Sequence, residues 1–253
     1  MKALYDFYPK FGDTTSATFI YSGSSPTYFT KDNLFYKEPA RCFKTSGTSS
    51  FSITLDLKTI KEIDTVFLNR INFPNYTLQY STDNSTWKSF GSINGLKIDE
   101  LGDEENYMHN IHVLSGSQMM RYIKLTVPAN IALFESSYYK IGNFVAGKSV
   151  DILDPKNGFR VQYIPTMNVN TFKSGYIERE KLGRTRRSFS GDFDKLNTEV
   201  LAKFRLTYRP FIIYFTHTGK STDCYLVMNT TEMSQTFDFA KVKSMNFTME
   251  ELV

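Results

Sequence analysis

Tyr76-Thr77-Leu78-Gln79-Tyr80-Ser81-Thr82-Asp83-Asn84-Ser85-Thr86-Trp87 is the stretch on which the reading of the fold turns. Tyr76 to Ser81 alternates apolar and polar residues, the two-residue period of a strand with one face on a core. Thr82 to Ser85 is a polar turn, and Trp87, the only tryptophan of the chain, follows it. Upstream, Phe51-Ser-Ile-Thr-Leu-Asp-Leu alternates in the same way, Thr65-Val-Phe-Leu-Asn is a second strand, and Asn72-Phe-Pro-Asn is a turn. Downstream, His109-Asn-Ile-His-Val, Arg121-Tyr-Ile-Lys-Leu-Thr-Val and Tyr139-Lys-Ile-Gly-Asn-Phe-Val-Ala complete a run of short strands. Strands at this spacing with no helical segment between them predict a β-sandwich or jelly roll.

Alternation is lost between Gly147 and Gly158, so a domain boundary is expected there, with one domain over 1–148 and another over 149–253. The second portion predicts strands at Phe159-Arg-Val-Gln-Tyr-Ile and Arg186-Arg-Ser-Phe-Ser-Gly-Asp-Phe. A short helix is expected from Thr198 to about Leu206. Asn197 suits its N-cap, Leu196 and Leu201 can form a hydrophobic staple, and Val200 and Phe204 share their face. Pro210 cannot continue it, and Phe211-Ile-Ile-Tyr-Phe reads as a buried strand. Asp223-Cys-Tyr-Leu-Val-Met-Asn and Lys241-Val-Lys-Ser-Met-Asn-Phe-Thr-Met-Glu finish the sheet. The expected fold class is therefore mainly β: an N-terminal jelly-roll sandwich followed by a smaller β-rich domain with one short helix.

Composition agrees. A 253-residue chain that is 41% hydrophobic, with 22 Phe and 16 Tyr, can bury a substantial core, and its residues favour sheets. A net charge of +4 spread along the chain falls short of a nucleic-acid footprint. No apolar run approaches the ~20 residues of a membrane span, and Met1 to Thr15 has no signal-peptide core, so synthesis in a cytoplasm is expected. Asn75, Asn84, Asn229 and Asn246 begin glycosylation-type triplets, which are read as by-products of a polar composition. Cys42 and Cys224 are expected as buried or half-buried free thiols, a disulfide between them being the alternative.

The search for chemistry finds no Gly-x-Ser-x-Gly elbow, no phosphate loop and no His-Glu-x-x-His. His109 and His112 are three apart, which on a strand sends them to opposite faces and defeats a shared metal. Asp99-Glu-Leu-Gly-Asp-Glu-Glu lacks the spacing of a calcium loop and reads as a solvated run. Tyr5, Phe7, Tyr8 and Phe11 are core aromatics or loop-tip ligand contacts, core being preferred. Lys181, Arg184, Arg186 and Arg187 form the densest basic patch and are the candidate assembly interface. No catalytic, metal or cofactor residue is expected, and the chain is read as a binding or assembly protein.

Two resemblances extend this reading. Ile53-Thr-Leu-Asp-Leu, Ile63-Asp-Thr-Val-Phe-Leu, the Tyr76–Trp87 stretch, Arg121-Tyr-Ile-Lys-Leu-Thr-Val and Lys140-Ile-Gly-Asn-Phe-Val-Ala-Gly follow the order of the discoidin family, the coagulation-factor C-type domain. Tyr80-Ser-Thr-Asp-Asn-Ser-Thr-Trp87 resembles that family's Tyr-Ser-x-Asp-Gly-x-x-Trp hairpin. The resemblance implies a galactose-binding-like jelly roll over about residues 1–148, a fold that takes glycans, lipids or proteins on variable loop tips. The disulfide that ties the ends of extracellular members is missing, and no binding residue carries over. The second portion, with Arg186-Arg-Ser-Phe-Ser-Gly-Asp-Phe, a helix, Arg209-Pro-Phe and a terminal Asn246-Phe-Thr-Met-Glu-Glu, is similar to the β-rich module of phage tail proteins.

Together they imply a structural component of a phage tail or phage-like particle that forms a ring at the tail tip or baseplate and displays the jelly roll. Its expected place is the virion tail, and its partners are other tail and baseplate proteins, further copies of itself and a host-surface glycan, with no nucleic acid, membrane or cofactor. The alternative is a glycan-binding host-recognition module with no ring-forming role. A glycosidase with paired carboxylates is the third possibility weighed.

Overall fold

The computed structural model describes residues 1–38, 41–93, 108–130, 137–152, 160–164, 167–171, 177–181, 186–193, 210–216, 224–229, 235–238 and 241–252. The first strands are β1 (Lys2–Leu4), β2 (Phe7–Tyr8), β3 (Thr18–Tyr21), β4 (Phe43–Lys44), β5 (Phe51–Ile71), β6 (Tyr76–Ser81) and β7 (Lys88–Ile93). Then come β8 (Met108–Val127), β9 (Lys140–Ile141), β10 (Asn143–Gly147), β11 (Val150–Asp151), β12 (Arg160–Ile164), β13 (Met167–Thr171) and β14 (Ile177–Lys181). The last are β15 (Arg186–Phe193), β16 (Phe211–Tyr214), β17 (Cys224–Asn229), β18 (Gln235–Asp238) and β19 (Lys241–Glu251). The mainly-β class with a β-sandwich is as expected. The helix expected at Thr198–Leu206 lies outside the described residues.

The sandwich is built on one antiparallel sheet in the order β2-β10-β5-β8-β6-β7, with β3 paired to β5. The pair β4–β9 and the 3-10 turn Lys31–Phe35 add Phe43, Ile141, Leu34 and Phe35 to the same core. Phe51 sits at the centre of an aromatic cluster, with Tyr21, Phe43, Phe73 and Tyr139 at centroid distances of 6.1, 6.1, 6.3 and 5.3 Å. These tilted and edge-on contacts are the arrangement ring quadrupoles favour.

The segments expected as separate strands at 51–57 and 65–69 form one strand, as do those at 109–113 and 121–127. The polar Lys58-Thr-Ile-Lys-Glu stretch between the first pair makes a bend without ending the strand. Lys58 takes a φ of 65°, Lys58 to Ile60 are exposed, and the pairing skips from Asp56↔Tyr122 to Lys61↔Met120. Asp56 holds the bend: it accepts from the Lys58 amide at 2.8 Å and takes Arg121 in a fork at 2.8 and 3.2 Å. Burial pushes the Asp56 carboxyl upward, but the hydrogen bonds from Arg121 and Lys58 outweigh it and hold the group below the usual carboxylate range.

The Thr82–Ser85 turn forms as expected. Asn84 has φ 63°, the left-handed conformation that glycine or asparagine adopts at least cost. The Asp83 carboxylate accepts from the Ser85 and Thr86 amides at 2.9 and 2.8 Å, and Lys124 lies 3.9 Å over the Trp87 ring.

The second sheet runs β11-β1-β16-β17-β19-β15-β12, with β18 on β19. It crosses the boundary expected at 148/149, because the N-terminal strand belongs to it: Ala3 lies opposite Val150 on one side and Ile213 on the other. The sandwich is thus inserted between β1 and β11, and residues 1–4 are part of the second unit. The reason lies in the side chains. Met1 and Ala3 pack into a core with Phe189, Phe211, Ile213, Phe215, Val227 and Met249.

A third cluster joins the two parts: Leu4, Phe7, Phe67, Ile111, Val145, Ile212, Cys224 and Leu226. Along β5, Val66 and Leu68 face the sandwich core while Phe67 faces this junction; along β10, Phe144 and Ala146 face the core and Val145 the junction. Continuous apolar runs such as Val66-Phe-Leu and Phe211-Ile-Ile therefore mark strands buried on both faces. Phe7 and Phe11 pack at the junction, Tyr8 against the sandwich core and Tyr5 against the second core, so these aromatics are core, as preferred. Cys42 and Cys224 are buried and form no disulfide with each other.

Replacing Arg121 by Met leaves the Asp56 carboxylate partly buried without its fork. A lower urea midpoint of the whole chain is expected, with the Asp56→Asn, Arg121→Met double variant recovering part of the loss. Equal stability of wild type and Arg121→Met contradicts this account of the bend.

Candidate functional site

Four loops meet at one end of the sandwich. Ser22–Thr30 is tied down by the Lys44 amide donating to the Phe29 carbonyl at 2.9 Å and the Ser46 amide to the Ser24 carbonyl at 3.0 Å. The Asn33 side chain donates to the carbonyls of Tyr28 and Cys42 at 2.7 and 2.9 Å, pinning the loop tip to the strand beside it. Thr45 accepts from the Tyr139 amide at 2.8 Å and donates to the Gly47 carbonyl at 2.6 Å. Asn72 donates to the Tyr138 carbonyl at 2.9 Å and accepts from the Lys140 amide at 2.7 Å. The Tyr139 hydroxyl donates to the carbonyls of Pro128 and Thr48 at 2.6 and 3.1 Å, and the Asn130 amide reaches the Thr48 carbonyl at 2.9 Å. Side-chain amides and hydroxyls thus satisfy loop carbonyls and amides that no ladder reaches, which ties these loop positions to one another.

On this frame stand the aromatic groups. Tyr28 is 85% exposed at the tip of its loop. At the next residue, Phe29, the Lys44 ammonium lies 4.0 Å over the ring, and it is 4.6 Å over the Tyr138 ring. Lys44 is directly opposite Lys140 in the β4–β9 pair. Burial lowers the Lys140 pKa, and the charges of Arg70 and Lys44 add to that shift. These loops therefore carry one large exposed ring and two rings flanking a cation. Such a surface can stack on the C–H face of a small polar ligand while the ammonium donates to its oxygens.

A different cleft, about 350 Å3, lies near the Tyr76–Trp87 hairpin and is lined by Tyr80, Ser81, Thr82, Thr86, Lys88, Ser117, Gln118 and Met119. It brings together hydroxyls, one ammonium and a thioether, and the nearby Asp83 carboxylate is engaged by its own turn. Among the described residues no group of three or more His, Cys, Asp or Glu side chains is placed to hold a metal ion. Asp99 to Glu105 and His217 lie outside the described residues.

The basic patch is not a surface cluster at Arg187. On β15 the alternation that turns Phe189 inward turns Arg187 inward too; it is 3% exposed, 3.3 Å from Glu251 and 4.7 Å over the Tyr225 ring. Arg184 and the side chains of Lys181 and Arg186 lie outside the described residues. The loop face is what the sequence reading missed. Its members, Tyr28, Phe29, Lys44 and Tyr138, are scattered over more than a hundred positions, and the one signal available was the turn-rich Tyr21-Ser-Gly-Ser-Ser-Pro-Thr-Tyr-Phe segment.

Residues 14–142, which contain all four of these side chains, match the family described as the F5/8 type C domain. Among solved structures, the chain is similar to chitosan-binding module 1 of a chitosanase/glucanase from Paenibacillus sp. IK-5, at 14% identity and a TM-score of 0.42 over 52% of this chain and 95% of that one. It is similar to CBM32-3 of a family 31 glycoside hydrolase from Clostridium perfringens, at 17% identity and a TM-score of 0.43 over 54% of this chain and 93% of that one. A Ruminococcus gnavus GH29 fucosidase in complex with fucose matches at 20% identity and a TM-score of 0.43, over 54% of this chain and 26% of that one. No curated protein matches the chain.

The two strand histidines point to opposite sides, as the alternation requires. His109 is edge-on to Tyr225 at 5.3 Å, whereas His112 Nε2 is 3.0 Å from the Tyr76 hydroxyl. Asn110, fully buried, donates to that hydroxyl at 2.6 Å. Burial lowers the His112 pKa from 6.5 to about 4, so the ring is neutral in the folded chain. The unfolded chain takes up this proton first as pH falls. Stability is therefore expected to fall from pH 6.5 to about 4, by up to about 3 kcal/mol, and this component levels off below. A His112→Gln variant should show a flatter slope in that window in urea titrations at stepped pH; an unchanged slope contradicts the assignment.

Proposed function

We propose a glycan-binding function for this chain, which belongs to the F5/8 type C domain family through residues 14–142, with the ligand seated on the loop face around Tyr28, Lys44 and Tyr138. The observation that carries the reading is a lysine held between the Phe29 and Tyr138 rings, with the residue before Phe29, Tyr28, 85% exposed, on loops tied by side-chain amides. A sugar ring has apolar C–H patches on its faces and hydroxyls around its rim. Exposed aromatic faces recognise the first and a fixed ammonium recognises the second. Tyrosine adds contact area with few rotatable bonds, so little conformational freedom is lost on binding. The role is recognition, and no step of catalysis is part of it.

Glycan binding without a ring, the alternative from sequence, thereby becomes the leading reading. Assembly into a phage tail or phage-like particle, the main reading from sequence, rests on the resemblance of two segments alone. The Arg186–Phe193 segment and the Phe211–Tyr214 segment, which carry the resemblance to tail modules, are strands of one sheet. Neither the family match nor the likenesses above extend to a virion, a ring or other tail proteins. Mass spectrometry of particles released from the producing cells decides it: the chain present at several copies per particle supports assembly, and its absence removes the reading.

Glycan-array screening of the full chain tests the leading reading. Binding to at least one class of surface sugar is expected, and Tyr28→Ala and Tyr138→Ala should each weaken it by about tenfold or more, with unfolding curves unchanged. Failure to bind any glycan, or binding that both substitutions leave intact, removes the proposal.

A further inference from the structure

We infer that two copies of this chain associate edge to edge through β12, antiparallel and about a two-fold axis at Gln162. Among the described residues, β12 has a single neighbour in the sheet, β15, and so forms one margin of it. Every residue from Arg160 to Tyr163 is exposed, including Val161 at 41% and Tyr163 at 50%. Edge strands are ordinarily protected by inward charges, proline, bulges or brevity, because their outer amides and carbonyls pair readily with another strand. Between Arg160 and Ile164 there is no proline, and the only charge is at one end.

The order of side chains identifies the occupant as a second copy. In an antiparallel pair centred on Gln162, Val161 of each copy faces Tyr163 of the other, twice, on one face of the joined sheet. A β-branched residue opposite an aromatic is among the favourable cross-strand pairs. Arg160 falls opposite Ile164, so no like charges meet. Centring the pair on Val161 or Tyr163 loses both of these matches. The face involved continues the second core: Val161 and Tyr163 lie opposite Phe189 and Arg187, and the Arg187 guanidinium sits 5.9 Å from the Tyr163 ring centre. A copy added at this margin extends cover over the buried Arg187–Glu251 pair.

The other strands of this sheet with a single neighbour are short: β11 has two residues, one of them the exposed Asp151 paired with Lys2, and β18 has four, with a register break at Thr236/Phe237, so each offers little ladder to a β12 strand. Head-to-tail growth is thereby disfavoured, and a closed two-fold pair is the outcome. The association places two loop faces on one particle, which raises the avidity of weak contacts, yet it stands independently of the glycan reading because it is measured without ligand.

Sedimentation equilibrium of the full chain reads the mass, and oxidation of Gln162→Cys reads the register. Residues at the two-fold centre of an antiparallel pair have Cα atoms about 4.5–5.5 Å apart, within disulfide reach. Expected results are a dimer for the wild type, a covalent dimer for oxidised Gln162→Cys, and association weakened by about tenfold or more in Val161→Lys, Tyr163→Lys, which sets lysines opposite each other. The circular dichroism of the lysine variant reports whether it is folded; where it is not, the cross-link alone decides. A wild-type monomer at tens of micromolar, a higher oligomer that Gln162→Cys does not cross-link, or a dimer untouched in a folded lysine variant overturns the inference.

Discussion

Burial of strands on both faces is the constraint on which this molecule depends. A strand sends successive side chains to opposite sides, so one that is covered twice belongs to two cores at once. Phe67 enters the junction because Val66 and Leu68 enter the sandwich, and Val145 does so because Phe144 and Ala146 do not. On the other side of the junction, Ile212 points one way and Phe211 and Ile213 the other. A slip of one residue in any of these strands exchanges the two sets, and no compensating polar face exists to receive the wrong one. Register is therefore over-determined, and the two parts of the chain share their packing instead of meeting through a linker.

This sharing explains how a short N-terminal strand can close a sheet whose other strands come from beyond residue 149. Lys2–Leu4 pairs with β11 and β16, and the Met1 carbonyl accepts from the Ile152 amide at 2.9 Å. The apolar side chains of Met1, Ala3 and Leu4 are divided between the second core and the junction. Insertion of the whole sandwich into the β1–β11 connection costs little once its ends are brought together by this pairing, since closure entropy grows only slowly with loop length.

The loop face is built by a different rule. Away from the ladders, backbone groups find partners in side chains: Asn33, Thr45, Asn72 and the Tyr139 hydroxyl each bind two backbone groups. Those contacts fix where Tyr28, Phe29, Lys44 and Tyr138 stand. A binding surface of fixed rings loses less freedom on meeting a ligand than one of mobile loops, so each contact contributes more of its energy to affinity. Arg187 shows the converse. Its charge, prominent in the sequence, is turned inward by the alternation of β15 and is engaged by Glu251 and Tyr225, while the neighbouring edge strand carries the exposed apolar side chains.

The sequence by itself determined the local elements whose cause is local. Tyr76–Ser81 is a strand because its side chains alternate, the following turn forms around Asp83 and Asn84, and His109 and His112 separate because their spacing is odd. The order of elements around that hairpin was enough to suggest the family. Tertiary structure alone decided what depends on partners distant in the chain: that the strands expected at 51–57 and 65–69 run on as one through a bend held by Arg121, that Lys2–Leu4 joins the second sheet, and that Phe29 and Tyr138 both meet Lys44. The physical reason is that periodicity states which way a side chain points relative to its neighbours in sequence, whereas burial, pairing and charge compensation depend on what lies across from it.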